Sequence, residues 1–195
     1  DRVEALLADD QFLGDPATRE AALLELRADM QVAPVDPTLE ASLLAKLEAD
    51  FPGRRMKFRS STNAEDLDGF TGAGLYESAS GDPGDPSRPV LDAVRTVWSS
   101  VWRFKAFEER SYRSISHQEV GMAVLVNGSY PSEDANGVAI TGNIFDPLGI
   151  EPGYYVNGQL GDVSVVLPPE GVTSDQLLYH FDMPGQPIVY LAHSN

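Results

Sequence analysis

An α+β fold is predicted for this chain of 195 residues from three observations. Residues 1–50 carry apolar side chains at helical spacing. Residues 88–113 repeat that spacing opposite a charged face, and from Val120 onward short apolar stretches alternate with turn residues. Helical, then mixed, then strand-rich segments imply helices segregated from a mixed or antiparallel sheet, in one domain or a large piece of one.

The helical region comes first. Val3, Leu6 and Leu7 form one apolar stripe, and Ala22, Leu23, Leu26 and Met30 a second, after Asp15-Pro16 as a start signal. Leu39, Leu43, Leu44 and Leu47 form a third, set apart by Pro34 and Pro37, and Pro52-Gly53 ends the region. Met56 to Arg59 reads as a short strand, Gly69 to Gly74 as a glycine-rich loop, and Leu75 to Ser78 as a second short strand. Asp82-Pro83-Gly84-Asp85-Pro86 is a turn cluster.

Residues 88–113 are predicted as one helix. On an ideal wheel Val90, Leu91, Val94, Val97, Trp98, Val101, Trp102 and Phe104 share a face. Arg88, Arg95, Arg103, Arg110 and Arg113 fall within roughly 80° of one another on the other side. That stripe reads equally as a solvated face or as an anion-binding one. Strands are expected at Val120–Val126, Gly137–Ile144, Tyr154–Leu160, Val163–Leu167 and Pro187–Leu191, with hairpin spacing that favours antiparallel pairing, and a short helix at Thr173–His180.

Charge is distributed unevenly. The net charge is −16 and there is no cysteine. Residues 114–195 contain no Lys or Arg, whereas residues 54–113 hold 10 of the 14 cations. The overall charge argues against nucleic acid or an anionic membrane as partner, and no apolar run is long enough to span a bilayer. The absence of Cys excludes a disulfide framework and a Cys–zinc site, and fits a cytoplasmic protein. His117-Gln118-Glu119 has the spacing of a zinc deaminase but lacks the Cys ligands, and no His-Glu-x-x-His or Gly-x-Ser-x-Gly motif occurs. The chain begins at Asp1 and ends at Asn195 after an apolar run, so it is expected to be an internal piece of something longer.

The local cation excess frames the candidate site. Arg59-Ser60-Ser61-Thr62-Asn63-Ala64-Glu65-Asp66 immediately precedes the glycine-rich loop. An Arg at a strand end, two hydroxyls and a glycine loop together can hold a polyphosphate, through the guanidinium fork and close backbone approach. The same residues also read as a capping box, Thr62-x-x-Glu65, starting a short helix.

The segment Arg59 to Leu67 resembles the Arg-Ser-Ser-x-x-x-Glu-Asp-Leu signature of the nucleotide-binding domain of the phosphoenolpyruvate synthase and pyruvate phosphate dikinase family, an ATP-grasp domain. Gly69 to Gly74 falls where that family has a Phe-Ala-Gly-Gln-Gln loop, and Val97 to Ala106 resembles its Val-Trp-Ala-Ser-Leu-Phe-x-x-Arg-Ala helix. Glu119 to Val126 resembles the strand leading to the adenine hinge, and Ala135 to Thr141 the Ala-x-Gly-Val-x-Phe-Thr strand.

The resemblance implies an ATP-grasp-like fold, with residues 54–195 a partial nucleotide-binding domain and residues 1–53 a helical segment that no motif places. It implies ATP as ligand and Arg59 as the catalytic contact to phosphate. Ser60, Ser61, Glu65, Asp66, Gly72, Ala73, Gly74, Lys105 and Arg110 are implied nucleotide-binding residues, with Asn127, Ser129 and Tyr130 at the adenine hinge. Ala73 and Gly74 replace the family's two Gln, and Lys105 replaces an Arg. No Gln-x-Arg-Pro-like strand or Thr-x-His-Ala motif occurs, so the Mg²⁺ ligands and the phosphohistidine and acceptor domains are expected in other parts of the same polypeptide. The implied activity is phosphoryl transfer from ATP through a phosphohistidine to pyruvate or a related acceptor, with little or no turnover by the 195 residues alone. The alternative is a non-catalytic nucleotide-binding regulatory module of the same fold.

Overall fold

A computed structural model describes residues 2–67, 70–72, 74–130, 133–161, 165, 169–185 and 187–195. The chain forms two compact units, Asp1–Ser129 and Tyr130–Asn195.

The first unit opens with four helices, α1 (Arg2–Leu7), α2 (Asp10–Gly14), α3 (Pro16–Val32) and α4 (Pro37–Asp50). Each of the last three starts at an aspartate whose carboxylate accepts from first-turn amides. Asp9 holds Gln11 N at 2.8 Å, Asp15 holds Thr18 N at 3.0 Å, and Asp36 holds Thr38 N at 2.9 Å. Pro16 and Pro37 begin α3 and α4, where a missing N–H costs nothing. The predicted stripes therefore become helices, and α2, capped by Asp9, is a further short helix after the first.

The predicted helix over residues 88–113 is broken. It forms α5 (Val90–Ser99), one 3₁₀ turn (Ser100–Trp102) and α6 (Phe104–Tyr112). Ser99 and Ser100 hydroxyls donate back to Thr96 O and Val97 O at 3.1 and 2.6 Å, competing with the helical ladder, and Arg103 turns extended at ψ 138°. An ideal wheel no longer applies across this break, and the arginine stripe dissolves. Arg95 pairs with Asp92, Arg103 with Glu77, and Arg110 is buried.

The sheet of this unit has the order β4-β1-β5, all antiparallel, from β1 (Met56–Thr62), β4 (Ala79–Gly81) and β5 (Met122–Gly128). Met56 and Phe58 are fully buried against Leu47 of α4 and Val90, Ala93, Val94 and Val97 of α5. A second core joins Phe12, Leu23 and Leu26 to Phe107 of α6, with Arg19 bridging to Glu108 at 2.5 Å. Leu75 to Ser78, expected as a strand, is irregular. Leu75 and Tyr76 are instead buried with Ala106, and the strand begins at Ala79. No helix follows Thr62; its hydroxyl accepts from Ala64 N at 3.2 Å in a turn. That turn leads to a small hairpin of β2 (Asp66–Leu67) and β3 (Phe70–Thr71).

The second unit is a four-stranded antiparallel meander of β6 (Ala135–Ile140), β7 (Tyr154–Leu160), β8 (Asp175–Tyr179) and β9 (Ile188–Ala192). Tyr155, Leu178 and Val165 are its buried apolar residues among those described. The predicted helix at Thr173–His180 is replaced by β8. Pairing to β7 on one side and β9 on the other, with Leu178 buried, overrides the helical preference of Gln and Leu. The strand expected at Val163–Leu167 lies, apart from Val165, outside the described residues. Among the described residues no helix is long and apolar enough to cross a membrane.

Candidate nucleotide site

Period-two alternation gives the three-stranded sheet two unlike faces. Met56, Phe58, Ser60 and Thr62 of β1 turn toward the helices, with Met122, Val124 and Val126 of β5 packed on the same core. Lys57, Arg59 and Ser61 take the other face, beside Ser80 of β4 and Ala123, Leu125 and Asn127 of β5. Among the described strand residues, that open face carries two cations, three neutral polar side chains and no acidic one.

Arg59 is exposed and lies opposite Leu125, which is 59% exposed. Arg59 Nε donates to Asn127 Oδ1 at 3.1 Å, and Asn127 Nδ2 donates to Gly128 O at 3.0 Å. The structure thus brings together two residues 68 positions apart that the sequence placed at opposite ends of a nucleotide. With its oxygen given to Arg59 and its amide to the backbone, Asn127 is placed to orient the guanidinium. No ion pair involves Lys57 or Arg59 among the described residues, although Arg19, Arg27, Arg55, Arg95 and Arg103 each lie against a carboxylate. Lys57 escaped the sequence reading. The alternation of Met56 and Phe58 with Lys57 and Arg59 was the available signal.

The other predicted residues separate. Ser61 shares the face of Arg59, but Ser60, paired with Val124, points to the helix side. Glu65 and Gly72 close the base of the β2–β3 hairpin, with Gly72 N donating to Glu65 O at 2.6 Å. A Cβ at Gly72 would lie 3.0 Å from Glu65 Cα, so a larger residue there would have to push the hairpin base apart by a few tenths of an ångström. Asp66 begins β2 opposite Thr71, so part of the expected glycine loop is strand. Gly74 adopts φ 78°, and Ala73 lies outside the described residues. Ser129 N donates to Arg55 O at 2.9 Å, fixing the end of β5. Tyr130 opens the second unit and is exposed. Lys105 is exposed on α6, which packs against α3 and the 3₁₀ turn.

Arg110 corrects the sequence reading most sharply. It is 0% exposed, so it cannot touch a nucleotide. Its Nη2 donates to Val101 O at 2.8 Å, its Nε donates to His117 Nδ1 at 3.3 Å, and it lies over the Trp102 ring. Burial lowers its pKa, opposed by a hydrogen bond to Tyr76. The Tyr76 hydroxyl in turn donates to Ala64 O at 3.3 Å. Arg110 therefore braces the turn that follows Arg59 from inside the core. Among the described residues no group of three or more His, Asp or Glu comes together that could hold a metal ion.

The first unit is thus an α+β module with a candidate ligand face that bears Lys57 and Arg59. Residues 2–174 match the model of the pyruvate phosphate dikinase AMP/ATP-binding domain, and the chain belongs to that family. Its α+β architecture is accordingly ATP-grasp-like. A phosphoenolpyruvate synthase of Aeropyrum pernix is 26% identical over 144 residues, which make up 71% of this chain and 17% of that protein. The chain thus spans about a sixth of that relative's length.

Proposed function

We propose that this chain is the ATP-binding part of a dikinase or phosphotransferase that moves a phosphoryl group from ATP to a histidine and on to pyruvate or a related acceptor. The observation that carries the reading is Arg59, exposed on the open sheet face, oriented by Asn127 and without an ion pair among the described residues. A guanidinium held in this way presents its two terminal nitrogens to non-bridging phosphate oxygens and stabilises charge as the phosphoryl group leaves. Ser61, on the same face as Arg59, supplies a further hydroxyl donor. Mg²⁺, the histidine and the acceptor site belong in this reading to other parts of the polypeptide, in keeping with the small share of the relative that is matched.

A second reading is a nucleotide-binding regulatory module without chemistry. It is favoured by Ala73 and Gly74, which offer no side-chain donors where the resembling family has Gln. Incubating the intact polypeptide that carries this sequence with γ- or β-labelled ATP and Mg²⁺ separates the two. Acid-labile label on histidine supports the enzyme. Tight ATP binding with no label supports the module. The 195-residue chain alone is expected to transfer no phosphoryl group, and turnover by it would overturn this assignment.

A further inference from the structure

We infer that Lys57 is a second cationic contact for the phosphate chain of a nucleotide, acting beside Arg59 on the open face of β1; this rests on the nucleotide-binding reading above. Met56 and Phe58 are both fully buried, so the pleat sends Lys57 and Arg59 to the opposite face, about 7 Å apart along the strand. Lys57 lies directly across from Asn127 on one side and Ser80 on the other. Asn127 gives its amide oxygen to Arg59, so the residue paired across from Lys57 aims the other cation.

Like charges at neighbouring positions on one face repel each other, and an anion bound across them relieves that repulsion. In a chain with 30 acidic and 14 basic residues, a carboxylate could easily have been placed there, as it is beside Arg27, Arg95 and Arg103. None of the described residues that β1, β4 and β5 place on this face is acidic. Two positive charges spaced along a strand match a run of linked phosphates better than a single phosphate. The ligand class is therefore a nucleoside di- or triphosphate, with Lys57 adding little for a monophosphate. Arg59 supplies a planar fork and Lys57 a mobile point charge, which suits contacts to successive phosphates.

The test is calorimetry on the intact polypeptide that carries this sequence, titrated with ATP, AMP and inorganic tripolyphosphate. Lys57→Gln is expected to weaken ATP and tripolyphosphate by about tenfold, the scale of one charge-assisted contact, and AMP by less than about twofold. Lys57→Arg should recover most of the loss, and Lys57→Glu should exceed it. Melting temperatures of all variants should match the wild type, because the side chain leaves the core. If Lys57→Gln binds tripolyphosphate like the wild type while Arg59→Ala does not, the inference fails and the nucleotide site stands. If both variants bind like the wild type, the site itself is misplaced and the inference falls with it.

Discussion

Arg59 and Asn127 meet across neighbouring antiparallel strands, with Nε donating to Oδ1 at 3.1 Å. The pairing register places Asn127 opposite Lys57 and Leu125 opposite Arg59, so the contact runs diagonally over the open face. Only Nε is engaged among the described residues, which leaves the terminal guanidinium nitrogens for a ligand.

Asn127 should therefore act on nucleotide affinity through Arg59. Asn127→Ala is expected to weaken ATP by about three- to tenfold, the scale of one hydrogen bond. Asn127→Asp should weaken it further, since a carboxylate would capture Arg59 and repel phosphate. Titration calorimetry on the three proteins checks the order, and ATP binding by Asn127→Asp as tight as the wild type would contradict it.

Arg110 should show the opposite profile. Its truncation to Ala empties a fully buried site and leaves Val101 O without its donor. Urea unfolding should report a loss of about 2–4 kcal/mol. At temperatures where the variant is folded, any loss of ATP affinity should be smaller than that of Arg59→Ala.

Stability should depend on pH through His117. Its ring stacks on Phe107 with centroids 3.8 Å apart, and Ser111 Oγ lies 3.0 Å from Nε2. Burial first, then the charges of Arg110 and Arg19, push its pKa from 6.5 to about 4, against the pull of Glu108. Between those values the unfolded chain binds more protons than the folded one, so this contribution is complete above about pH 6.5 and is lost as pH falls toward about 4. Denaturant unfolding at several pH values across that window should show a shallower slope for His117→Gln than for the wild type. Identical slopes would remove His117 as a cause.

Gly137 should resist substitution. A Cβ there would lie 2.6 Å from Asn157 O, a backbone atom of the adjacent strand β7. Gly137→Ala must therefore shift β6 and should cost about 1–3 kcal/mol, read as a lower melting temperature of the second unit. An unchanged melting profile would show that the strands are not so closely paired.

Much of this architecture is legible in local sequence because its causes are local. Asp15-Pro16 and Asp36-Pro37 announce helix starts through caps and a fixed φ, and turn residues mark β5, β6, β7 and β9 as strands, although β5 pairs with β1 rather than with β6. What escapes depends on distant parts of the chain. The break after Ser99 arises from hydroxyls bonding back onto the helix, and it turned an apparent arginine stripe into separate contacts. Arg110 looks like a surface cation until Tyr76, Val101 and His117 are seen around it. β8 is a strand only because two strands flank it. Arg59 and Asn127 could each be named as site residues, but their contact rests on a register that no local pattern contains.

The account turns on Arg59 as the phosphate contact. Its most direct measurement is the ATP affinity of the intact polypeptide that carries this sequence, compared with Arg59→Ala and Arg59→Lys by calorimetry. The account predicts a loss of at least about tenfold for Arg59→Ala, with Arg59→Lys between the two because it keeps charge and loses the fork. Equal ATP affinity in wild type and Arg59→Ala would contradict it.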